Sequence, residues 1–150
     1  MRVREVMTKP VLSFSMGEPA SDALATMRDA GVSHAVVLRG TELVGVLSER
    51  DLGGSFGGIV RAHHFVADLM RAEPVVVDPE ADVRDAAELM LDHDVGCLPV
   101  TDDGELVGIL TRSDLLRAAY VERRTPRPPP PANADERLPP LRSPNRDKFP

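Results

Sequence analysis

The sequence predicts an α+β protein made of two βαββα repeats packed through their sheets, and three observations carry that expectation. Sliding the chain against itself by 63 residues superimposes fifteen identical pairs in the fifty positions from Val3 to Leu52 without a gap, far above the roughly one in twenty expected by chance. Each repeat places one helical apolar stripe before two short apolar runs joined by a turn. A single unit of about fifty residues buries too little surface to stand alone, whereas two stacked units can.

The elements follow in order. Val11 to Phe14 and its counterpart Val75 to Val77 are apolar runs of strand length. After Pro19, Ala20, Ala23, Leu24 and Met27 recur at helical spacing, and Gly31 ends the stripe; after Pro79, Val83, Ala86, Ala87 and Met90 do the same. Ala35 to Leu38 and Leu43 to Leu47 flank the turn residues Arg39, Gly40 and Thr41. Leu98 to Val100 and Leu106 to Leu110 flank Asp102, Asp103 and Gly104. Both read as hairpins. A second helix starts at Ser48 or Thr111, and the cluster Gly53, Gly54, Gly57 and Gly58 is expected to shorten it in the first repeat.

The organisation expected is a first repeat over 1–60 including the glycine-rich linker, a second over 61–121, and a tail over 122–150. Nine of the 14 prolines lie between Pro126 and Pro150. Such a segment has few amide hydrogens to share and favours extended, solvated chain, so the tail is expected to be disordered. It carries seven basic and four acidic residues on a chain of net charge −6.

The motif with chemical content recurs with the repeat: Gly45-Val46-Leu47-Ser48-Glu49-Arg50-Asp51 and Gly108-Ile109-Leu110-Thr111-Arg112-Ser113-Asp114. A hydroxyl residue and an aspartate three apart straddle a helix start in each. One reading is a pure helix cap, a capping-box-like pattern. The other uses the same physics: free amides at a helix start attract phosphate, the hydroxyl adds a donor, and the carboxylate accepts both hydroxyls of a ribose. A strand glycine just before would let a planar ring approach the backbone.

These residues, with Val6-Met7, Leu69-Met70, Asp22-Ala23 and Asp85-Ala86, resemble tandem cystathionine beta-synthase (CBS) domains, a Bateman module, over about Val3 to Ala119. The resemblance implies a pseudo-twofold pair with two clefts that bind an adenosine-containing ligand: AMP, ADP, ATP or S-adenosylmethionine. It implies that Asp114 holds ribose hydroxyls and Thr111 meets phosphate in one cleft, with Asp51 and Ser48 doing so in the other. The Thr111 and Asp114 cleft is the first candidate, because the first repeat has Val36 where the second has Pro99 and its closing helix meets Gly53-Gly54. Arg50 and Arg112 are the basic residues within the motifs. Val11, Leu12 and Val36, or Val75, Val76 and Pro99, would lie against adenine, although core packing is the leading explanation of every one of them. Pairing into a homodimer is implied as well.

Other chemistry is weaker. With no Trp, one Tyr and four Phe there is no base-stacking platform, and a pI near 5.2 opposes a phosphate-tracking face, so no nucleic-acid partner is expected. No apolar run has the ~18 residues of a membrane span, and a cytoplasmic location is the default. Cys97 lies among apolar residues, where burial raises a thiol pKa and opposes a nucleophilic role. His34, His63, His64, His93 and Cys97 would need to converge to bind zinc. No catalytic motif is present, so no enzyme and no required cofactor are expected. The function expected is a sensor whose ligand alters a protein partner or the dimer; the alternative is a structural dimerisation module with vacant clefts. The sequence names no effector.

Overall fold

A computed structural model of the chain describes residues 1–124. The chain runs through α1 (Val3–Val6), β1 (Ser13–Ser15), α2 (Ala20–Ala30), β2 (His34–Arg39), β3 (Glu42–Ser48), a 3-10 turn (Gly54–Phe56), α3 (Gly58–Arg61) and α4 (Val66–Leu69). It continues through β4 (Arg71–Ala72), α5 (Val83–His93), β5 (Cys97–Asp102), β6 (Glu105–Thr111) and α6 (Arg112–Arg124). The helix α6 extends three residues past the expected start of the tail; the proline-rich stretch itself lies outside the described residues.

Each expected helical stripe points inward. Ala20, Ala23, Leu24 and Met27 of α2 are buried, as are Ala86 and Met90 of α5. Both helices end on a left-handed residue, Gly31 with φ 68° and its 63-residue counterpart Asp94 with φ 50°; a short polar side chain tolerates that conformation nearly as glycine does. The hairpins β2–β3 and β5–β6 are antiparallel, with register irregularities at matching places, Val37/Leu38 and Val100/Thr101.

The two opening strands differ from expectation. In the first repeat the strand begins at Ser13 rather than Val11 and runs parallel to β2, although Leu12 O already accepts from Val36 N at 3.0 Å. In the second repeat Val75 to Val77 is reduced to a parallel bridge between Val77 and Val100. The cause is Pro99, the counterpart of Val36: it has no N–H to offer the carbonyl of Val75, the counterpart of Leu12. The closing helix of the first repeat is shortened further than expected, to turns through Glu49–Gly53 and the two short pieces after them.

The repeats exchange their opening helices. Val3 of α1 donates to Ala81 O at 2.9 Å and is buried with Val77, Ala86, Met90 and Leu98 of the second repeat. Val66 of α4 donates to Glu18 O at 2.8 Å and is buried with Phe14, Leu24 and Met27 of the first. The strand segments after these helices cross as well, so that Thr8 bridges Ile109 of β6 while Arg71 pairs with Val46 of β3. A third cluster of Val36, Val46, Cys97 and Ile109, with Val11, Leu38, Leu43 and Leu106 around it, forms the seam between the repeats. Among the described residues no helix is long and apolar enough to cross a membrane.

Candidate functional site

Both hydroxyl–aspartate pairs form reciprocal caps where a strand ends. Ser48 N donates to Asp51 Oδ2 at 3.0 Å and Asp51 N donates to Ser48 Oγ at 2.9 Å. Thr111 N donates to Asp114 Oδ2 at 2.9 Å and Asp114 N to Thr111 Oγ1 at 3.3 Å. The cap is therefore present at each position, and what distinguishes the two is the rest of the carboxylate.

Asp114 is closed in. Its side chain is 1% exposed. Oδ1 accepts from Thr8 Oγ1 at 2.9 Å and from Arg117, while Oδ2 also accepts from Thr111 Oγ1 at 3.1 Å. With its lone pairs shared among four donors, Asp114 has little capacity left for a ribose. The adjoining recess, lined by Met1, Glu5, Val6, Arg117, Ala118 and Val121, holds about 300 Å³.

Asp51 faces a larger opening of about 640 Å³ between the repeats. Beyond the cap, Oδ1 has one long contact among the described residues, from Arg71 Nε at 3.4 Å. Ser48, Glu49, Arg50 and Asp51 form one wall, Asp94 to Cys97 with Arg112 form the other, and Ser33, His34 and Arg71 lie among the remaining lining residues. The linker glycines Gly53 and Gly54 also line the opening; where the second repeat has α6 with Asp114 in its first turn, the first has turns and two short helical pieces, and the space stays open. The greater room is thus at Ser48 and Asp51, the reverse of the order suggested by the first repeat's departures from the motif.

Of the other expected ligand contacts, Arg50 and Arg112 line this cleft. Val36 and Pro99 do not. Both are fully buried, Val36 within the seam between the repeats, where no ring can reach it without opening the core. Val11 packs against the same seam and Val75 against the second repeat's core. Nor do Gly45 and Gly108 leave space for a ring. A Cβ built on Gly45 would lie 2.8 Å from Met70 Sδ, and one on Gly108 would lie 2.5 Å from Met7 Sδ. Each glycine admits a methionine of the exchanged segment.

Sequence reasoning missed Arg71 and His34 as cleft residues. Arg71 is the counterpart of Thr8, so a search for identities between repeats passes over it; yet the two occupy equivalent places beside Asp51 and Asp114. His34 lies against the second repeat, where a Cβ on Gly96 would be 2.8 Å from its Nε2. Burial lowers the His34 pKa, Asp51 opposes that shift and Arg112 adds to it. Burial, with a smaller contribution from Asp51, pushes the Cys97 thiol up to about 12, so the neutral thiol prevails at ordinary pH. Among the described residues no three His, Cys, Asp or Glu side chains are grouped to hold a metal.

Comparison with known proteins agrees with this architecture. The CBS domain family model matches residues 3–52 and 66–121. The inosine-5'-monophosphate dehydrogenase of Korarchaeum cryptofilum is 30% identical over 115 residues, which are 76% of this chain and 23% of that enzyme; the chain also spans less than two thirds of two further archaeal relatives. The crystal structure of CBSX2 from Arabidopsis thaliana in complex with AMP is 33% identical with a TM-score of 0.68, covering 82% of this chain and 98% of that one. The CBS domain pair of MJ0100, solved with 5'-methylthioadenosine and S-adenosyl-L-methionine, shares the fold at a TM-score of 0.74 and 18% identity, covering 81% of this chain and 98% of that one. The chain belongs to the CBS domain family, and its two repeats form a CBS pair.

Proposed function

We propose that the chain is a regulatory module that binds an adenosine-containing ligand in the cleft between its repeats, with Asp51 receiving the ribose hydroxyls and Ser48 and its neighbouring amides meeting the ligand's polar end. The observation that carries this is the opening at Asp51. A carboxylate with one long side-chain contact beyond its cap among the described residues faces about 640 Å³, within the usual range of small-molecule sites. The AMP complex of CBSX2, at 33% identity, supports an adenosyl ligand. Because the lining comes from both repeats, the bound ligand favours whichever spacing of the repeats it fits, and that preference is its means of acting on a protein partner or a second copy. Leu116 and Val121, exposed on α6 by 71% and 61%, provide apolar surface for pairing into a homodimer. Thr111 and Asp114 serve as a second, lower-affinity site whose occupation requires Asp114 to exchange its present donors.

Thermal unfolding with AMP, ADP, ATP and S-adenosylmethionine tests this. A ligand at about 100 times its Kd stabilises by about 2.7 kcal/mol, a shift of several degrees. The shift is expected to fall in Asp51→Ala to the small part the second site supplies, and to persist in Asp114→Ala. No shift with any of the four in folded protein would favour the structural dimerisation module.

A further inference from the structure

The Asp51 cleft holds more positive charge than a ribose site requires. Arg71 reaches from Asp51 on one wall to the other wall, its Nη1 donating to Asp94 O at 3.4 Å. Arg112 donates through Nη2 to Val95 O, also at 3.4 Å. The two guanidiniums therefore converge on consecutive carbonyls, each through a contact well beyond the 2.7–2.9 Å of a charge-assisted hydrogen bond. Their ionic partners are weak: Asp51 is 3.4 Å from Arg71, and Asp94, its side chain fully exposed, is 4.0 Å from Arg112. Of the remaining acids on the lining, Glu49 is engaged by Arg28 at 3.4 Å. Arg50 lines the same opening and makes no ion pair among the described residues.

From this convergence we infer that the cleft selects a phosphorylated nucleoside and rejects a cationic sulfonium, and that Arg71 is the residue that makes the distinction. The inference rests on the adenosyl reading of the site and narrows it. A phosphate placed between Arg71 and Arg112 replaces two long carbonyl contacts with short charged ones. Asp51, no longer shared with Arg71, is released to the ribose. S-adenosylmethionine would bring its sulfonium to the same place and meet like charge, and because its carboxylate is balanced by its own ammonium it arrives as a net cation. The corresponding place beside Asp114 holds Thr8, whose hydroxyl is already bonded to Oδ1, so this selectivity belongs to one cleft.

The test is calorimetric titration of adenosine, AMP and S-adenosylmethionine into the full chain, its Arg71→Gln variant and its Asp51→Ala variant. Arg71 is 55% exposed on its side chain, so the glutamine variant is expected to fold, which its unfolding curve checks. AMP is expected to bind at least about tenfold more tightly than adenosine, and S-adenosylmethionine no more tightly than adenosine. Arg71→Gln should remove most of the AMP advantage while adenosine binding is retained or strengthened, because Asp51 is no longer shared with Arg71; raised salt should weaken AMP alone. Equal affinity for adenosine and AMP, or an equal loss of both in Arg71→Gln, overturns the selectivity while leaving the adenosyl site intact. Adenosine binding that ignores Asp51→Ala, or no binding of any of the three, overturns the site and the selectivity together.

Discussion

Gly45→Ala tests the exchange of opening helices that builds the cleft. Gly45 lies on β3 at negative φ, so alanine meets no backbone penalty there, and by itself the change would stabilise by about 0.4–1 kcal/mol through the unfolded chain. Against this, the added Cβ would lie 2.8 Å from Met70 Sδ, 2.9 Å from Arg71 O and 3.3 Å from Met70 Cγ. The methionine can swing away; the carbonyl cannot, because Arg71 and Ala72 are paired with Val46 and Gly45. Displacing that backbone costs about 1–3 kcal/mol, which exceeds the gain. The net loss should appear as a Tm lower by roughly 2–10 °C, with an unchanged m-value in urea. Gly58→Ala is the control: a Cβ there meets nothing within 4 Å among the described residues, and the substitution should be neutral or stabilising. Trimming Met70 to Ala in the Gly45→Ala background should fail to restore stability, since the carbonyl remains. A Gly45→Ala protein at least as stable as the parent would refute the close crossing of β3 by the segment from the second repeat.

Three other outcomes follow from the site geometry. Asp114→Ala leaves Thr111 N and Thr8 Oγ1 without their buried acceptor and should cost about 1–3 kcal/mol in urea unfolding, with little contributed by Arg117, whose side chain is 69% exposed; an unchanged stability would show that the contacts around Asp114 are not formed. Cys97, its thiol pushed up to about 12, should react with a disulfide reagent at pH 8 far more slowly in the native protein than in urea, and equal rates would contradict its burial. His34, with its pKa lowered by burial, binds its proton more readily unfolded than folded. Its contribution to stability therefore rises with pH and is lost as pH falls from the unfolded value near 6.5 toward the folded one. Parent protein should lose more stability than His34→Gln on acidification through that window, and parallel losses would place His34 in solvent.

The legible parts of this molecule are those that local pattern determines. The helical stripes ending at Met27 and Met90, the two hairpins, and the hydroxyl–aspartate caps each depend on residues close in sequence, and they occur where spacing places them. The exchange of α1 and α4 depends on contacts across the chain, and periodicity alone is equally consistent with two self-contained repeats. A trace was present: Met7 and Met70 recur with Gly108 and Gly45, the partners they cover in the fold. The adenine-facing expectation for Val36 and Pro99 rests on strand apolarity, which does not say which face a cleft opens on; in the fold both side chains are buried. Arg71 escaped notice because it differs from its counterpart Thr8. In a duplicated chain, function that has diverged between the repeats sits at such differences, whereas identities such as Asp51 and Asp114 mark what the two repeats share.

The central claim is that the cleft at Asp51 is an adenosyl-ligand site. A crystal structure of the chain grown with AMP tests it most directly. The account predicts ligand density between the repeats, with ribose oxygens within hydrogen-bond distance of Asp51 and the phosphate between Arg71 and Arg112. Ligand bound at Asp114 alone, or a cleft left without ligand at saturating AMP, would contradict it.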